Sequence, residues 1–98
     1  MNLVILQGNV GSDPEFRYLE NGSRVATFNL ATNEYWTSGD DKHQKTTWHS
    51  VRAWGATADL VNNHVKKGAK VLVQGSIHVN KTEAREYTTI KVDKIEFL

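Results

Sequence analysis

"TTWHSVRAWG", residues 46–55, decides the fold. Read as a strand, it puts Trp48, Ser50, Arg52 and Trp54 on one face and His49, Val51 and Ala53 on the other, because side chains alternate along an extended chain. Val51 and Ala53 are small and apolar and belong inside. The face that remains for solvent carries two indoles with a cation between them. The indoles are six positions apart, about 20 Å at 3.3 Å per residue, a reach that suits several units of an extended polymer better than one small ligand.

Upstream, "SRVATFNLATNEYW" (23–36) is rich in β-branched and aromatic residues, lacks Gly and Pro, and predicts a long strand with Ala26, Phe28 and Leu30 on its core face. "NLVILQGNVG" (2–11) is too short and apolar for a typical helix and reads as a buried strand. Between them, "SDPEFRYLENGS" (12–23) carries turn signals at Asp13-Pro14 and Asn21-Gly22, with room for a small strand at Arg17–Leu19. "TSGDDKHQK" (37–45) reads as a polar loop. Downstream, only "GATADLVNNHVKKGA" (55–69) has helical character, with Thr57 as N-cap, a Leu60, Val61, His64, Val65 stripe and a Lys66-Lys67-Gly68 end. "KVLVQGSIHV" (70–79) and "YTTIKVDKIEFL" (87–98) predict two more strands around the charged connection "NKTEARE" (80–86), and Gly75 marks a bulge or bend. The order is three strands, one short helix, two strands. That predicts an all-β domain, a five-stranded barrel with the helix between strands 3 and 4, since closure removes the free edges that an open sheet of this size would expose.

The chain has 98 residues, 39% hydrophobic and 23% charged, which fits one globular domain spanning 1–98. With no cysteine, disulfides, thiolate zinc sites and thiol nucleophiles are excluded. No run approaches the roughly 20 apolar residues of a membrane span. His43, His49, His64 and His78 show no paired ligand spacing, so no metal site is expected, and no Walker or dinucleotide glycine loop and no Ser/His/Asp set points to a cofactor or a catalytic residue. Net charge is only +1, but residues 1–49 carry 4 Lys/Arg against 6 Asp/Glu while residues 50–98 carry 8 against 5. Lys66, Lys67, Lys70, Lys81 and Arg85 fall in that basic half, where they could rim a groove beside the tryptophans. Indole stacks on any nucleobase, and arginine adds a phosphate contact or a second stacking plane. Trp36 shares parity with Phe28 and Leu30, so strict alternation sends it inward unless a bend at the strand end turns it out.

Nearly the whole chain resembles the bacterial-type single-stranded DNA-binding proteins. The resemblance rests on Gly-Asn-x-Gly-x-Asp-Pro-Glu-x-Arg-Tyr at Gly8–Tyr18, Thr-x-Trp-His-x-Val at Thr46–Val51, "HVKKGAKVLVQG" and "YTTIKV". It implies an OB-fold, sequence-independent binding and protection of single-stranded DNA in replication, recombination and repair, no enzymatic activity, a homotetramer, and a cytoplasmic, nucleoid-associated location. It implies base stacking by Trp36, Trp48 and Trp54, a DNA path lined by Lys67 and Lys81 beside Arg52, and a subunit interface at His49. Two positions depart from the family pattern: Thr82 stands where a fourth stacking aromatic usually follows Lys81, and Ser50 where a basic residue often follows the interface histidine. The family usually continues into a linker and an acidic tip that recruits replication and repair proteins. This sequence stops at Leu98, so recruitment through a tail is not expected. The alternatives are a protein-bridging dimer of the same fold and an RNA-binding barrel.

Overall fold

The computed structural model describes residues 1–98. Its elements are β1 (Val4–Val10), β2 (Glu15–Tyr18), β3 (Arg24–Ser38), β4 (Asp41–Trp54), α1 (Ala56–His64), β5 (Lys70–Lys81) and β6 (Glu86–Phe97). Five of the strands close a mixed barrel in the order β1-β5-β6-β4-β3, with β3 returning to β1 through Asn9–Ala31 and Val10–Leu30. The fit between β4 and β6 is parallel, Ser50–Arg52 against Thr89–Lys91, and the other pairings are antiparallel. The short β2 lies against β3 at Arg24–Thr27, outside the closed ring. This is the five-stranded barrel expected, with the helix between the third and fourth barrel strands in chain order.

Alternation sets the core. Ala26, Phe28 and Leu30 of β3, Val51 and Ala53 of β4, and Val71 and Val73 of β5 are almost fully buried and meet in one cluster. The helix closes one end of the barrel with Ala58 and Val61, and Val65 follows them into the same cluster. Its boundaries differ from those expected. Gly55, at φ 61°, precedes the first turn without a side-chain cap, and Thr57 lies inside the helix. The buried stripe is Ala58, Val61, Val65, at spacings of three and four, while Leu60 is exposed. An Arg24 Nε–Asp59 Oδ1 ion pair of 2.9 Å ties the first helical turn to β3 instead.

The polar segment 37–45 is not a loop. β3 and β4 stay paired without a break from Val25–Trp54 to Ser38–Asp41 and reverse through Gly39-Asp40, with φ 63° at Gly39. A positive φ at the first turn residue matches the right-handed twist of a two-residue hairpin, and glycine adopts it without strain. Its residues are polar on both faces because the hairpin extends past the barrel, where neither face has a core to meet. The 80–86 connection shrinks likewise: β5 and β6 pair out to Lys81–Glu86, and Thr82 N–H donates to the Arg85 carbonyl at 2.8 Å. The two projections stretch the molecule to 55 × 35 × 26 Å and raise the radius of gyration to 15.0 Å, against roughly 12.5 Å for a compact chain of this length. Gly75 sits at the expected irregularity, where Asp93 of β6 is left over between the Gly75–Val92 and Gln74–Lys94 pairs.

Candidate nucleic-acid interface

The outward face of β4 carries the row that the sequence sets out. Val51 and Ala53 are 0% exposed, whereas Trp48 is 61% and Trp54 38% exposed. Trp48 lies over Gly11: a Cβ at Gly11 would come within 2.3 Å of Trp48 Cζ3, so the indole rests on glycine backbone and keeps its other side open. Gly11 N–H donates to the Asn29 carbonyl at 2.8 Å, which fixes this seat against β3.

Arg52 and Trp54 enter a shallow pocket of about 320 Å³, completed by Thr89 and Lys91 of β6 and His78 and Asn80 of β5. The β4–β6 ladder brings Lys91 directly beside Arg52. Asn80 Nδ2 donates to Thr89 Oγ1 at 3.2 Å, and Ser76 Oγ shares a hydrogen bond with His78 Nε2 at 2.9 Å, so both pocket side chains from β5 are braced. No acidic residue lines the pocket. The three ion pairs of the chain, Arg17–Glu15, Arg24–Asp59 and Lys94–Glu96, leave Arg52, Lys67, Lys81 and Lys91 without a carboxylate. Arg52 Nε is buried and has no hydrogen-bond partner. An aromatic floor beside uncompensated cations suits a polyanion that carries flat bases.

The other expected residues are dispersed. Trp36 is 47% exposed in the projecting β3–β4 hairpin. It stacks on His43, its cross-strand partner, with ring centroids 5.3 Å apart and 19° between planes. The unbroken register puts this stack on the ribbon face opposite Trp48 and Trp54. Parity therefore holds, yet Trp36 stays exposed because the ribbon has left the core. Tyr35, Thr37 and Lys42 join the stack around a second shallow pocket of about 350 Å³. Lys67 follows the helix; its backbone N–H donates to Asp13 Oδ1 at 2.9 Å, which links it to the loop that begins at Gly11. Lys81 ends β5 on the strand face of Ile77 and Val79, opposite His78 and Asn80. His49 is half-buried, and its Nε2 shares a 2.9 Å hydrogen bond with Thr32 Oγ1.

Sequence reasoning missed Gly11, His78, Asn80 and Lys91. Strand parity places Lys91 opposite Ile90 and Val92, but its meeting with Arg52 depends on a parallel pairing of strands that no local pattern reports.

The sequence matches the Single-strand binding protein family over residues 1–98. It is 43% identical to the mitochondrial single-stranded DNA-binding protein 1-B of Xenopus laevis over 112 aligned positions, covering 100% of this chain and 76% of the relative. It is 40% identical to the mitochondrial single-stranded DNA-binding protein of Rattus norvegicus over 111 positions, covering 100% of this chain and 74% of the relative. Its structure is similar to a Plasmodium falciparum SSB solved in complex with single-stranded DNA, with a TM-score of 0.91 and 35% identity, covering 100% of this chain and 95% of the other. No helix is long and apolar enough to cross a membrane.

Proposed function

The chain belongs to the single-strand binding protein family, and we propose that it binds single-stranded DNA by laying unpaired bases on Trp36, Trp48 and Trp54 while Arg52, Lys67 and Lys81 hold backbone phosphates. The observation that carries this reading is the outward row of β4, Trp48 and Trp54 exposed on either side of Arg52, with no carboxylate to neutralise the cation. Stacking on an indole engages every base alike, so the binding is sequence-independent, and it requires unpaired bases, so duplex is excluded. The protein acts by occupancy and not by bond chemistry. It covers single strands exposed in replication, recombination and repair at the nucleoid, and so protects them from refolding and cleavage.

A homotetramer completes the proposal. Leu3 just before β1, Ile5 on β1, and Ile77 and Val79 on β5 are each between 44% and 57% exposed, apolar surface that further copies of the chain would cover, with His49 at such a contact.

Trp54→Ala tests the stacking role. It is expected to cost about 1–3 kcal/mol of affinity for oligo-dT, read as a shift in the titration midpoint. An unchanged midpoint removes Trp54 from the interface.

A further inference from the structure

Arg52 and Lys91 are register partners of the parallel β4–β6 ladder and open into the same pocket beside Trp54. Like charges directly opposite on a sheet repel. Here neither cation has a carboxylate partner and no acidic residue lines the pocket. The free protein thus holds two cations at one spot with no anion between them, and a single bound anion would relieve their repulsion. We propose that Arg52 and Lys91 together clamp one backbone phosphate of the bound strand, which makes this pocket a built nucleotide subsite: phosphate between the two cations, base against Trp54, and the edge of the nucleotide facing Asn80.

Asn80 is suited to that position because its amide is held by Thr89 Oγ1 at 3.2 Å and is presented without a search through rotamers. The guanidinium plane supplies two parallel donors to one phosphate, and the lysine ammonium adds a point charge to the same group. This subsite rests on the reading of the chain as a binder of single-stranded DNA and adds Lys91 and Asn80 to the residues that perform it.

The test compares wild type, Lys91→Gln, Arg52→Gln, the double variant, Lys91→Arg and the control Lys94→Gln. Lys94 pairs with Glu96 and does not line the pocket. Oligo-dT affinity is measured across a salt series, and melting temperature without DNA. Lys91→Gln is expected to weaken binding about tenfold at low salt and to flatten the salt slope by about 0.7; Lys91→Arg and Lys94→Gln keep the wild-type slope. Because one phosphate is shared, the double variant should lose less than the product of the two single losses. Removal of the repulsion should leave the melting temperature of Lys91→Gln equal to or above wild type. A wild-type slope in Lys91→Gln, multiplicative losses in the double variant, or a lowered melting temperature each overturn the clamp while single-strand binding stands. A wild type that ignores oligo-dT overturns the functional reading itself.

Discussion

Trp48 owes its posture to a residue 37 positions upstream in the sequence. The indole lies where any side chain at Gly11 would stand, with Cζ3 2.3 Å and Cη2 2.8 Å from the position of an added Cβ. The clash is with the end of a side chain and not with backbone, so Gly11→Ala displaces the ring and spares the barrel. It is expected to weaken oligo-dT binding by up to the value of one stacked base, about 1–3 kcal/mol, with a melting temperature close to wild type; unchanged affinity would show that Trp48 does not need its glycine seat. At this scale the sequence was legible wherever alternation governs. The outward setting of Trp48, Arg52 and Trp54 follows from Val51 and Ala53 facing in. Gly11 under Trp48 and Lys91 beside Arg52 were not legible, because each is a contact between distant strands. Lys81 and Lys67 needed the same long-range knowledge: the structure places them outside the pocket that holds Arg52 and Trp54.

Among the elements, the core-facing parts of the strands were readable and their projecting parts were not. Periodicity reports burial, and residues 37–45 have nothing to be buried against, so a paired ribbon there looks like a loop. The helix showed the reverse error. Thr57 has the chemistry of a cap, but the chain turns at Gly55, whose N–H donates to the Arg24 carbonyl at 3.0 Å, and the helix is already under way at Ala56. Gly75 was legible as an irregularity, and the structure supplies the reason: a Cβ there would lie 2.0 Å from the Lys91 carbonyl oxygen, a backbone atom that cannot step aside. Gly75→Ala is expected to destabilise the fold by about 1–3 kcal/mol through overpacking, lowering the melting temperature by at least about 4 °C. A melting temperature within a degree of wild type would mean that β5 and β6 part easily at the bulge. Since the bulge adjoins Lys91, the same substitution reports on how rigidly β6 presents its cation to β4.

For the whole molecule, a net charge of +1 hides the polarity that matters. Acidic side chains are numerous, yet none lines the pocket of Arg52 and Lys91, so a nearly neutral chain still offers a cationic surface beside its indoles. The barrel fixes the β4 row at its surface, and the β3–β4 hairpin carries Trp36 beyond it, on the opposite ribbon face. A strand that touches all three tryptophans must therefore pass from one face of that ribbon to the other, and a single copy of the chain has its indoles spread along it, with Trp36 paired to His43 eleven residues before Trp54, about 36 Å at 3.3 Å per residue. Contact with all of them requires an extended, wrapping ligand, which short oligomers cannot supply. The most direct measurement is quenching of intrinsic tryptophan fluorescence by oligo-dT of graded length, with the mass of each complex determined in parallel. Stacked indoles predict quenching that deepens with oligomer length up to a plateau, at a stoichiometry set by the number of chains in the complex. Oligo-dT that binds with the fluorescence untouched, or that fails to bind at any length, would contradict it.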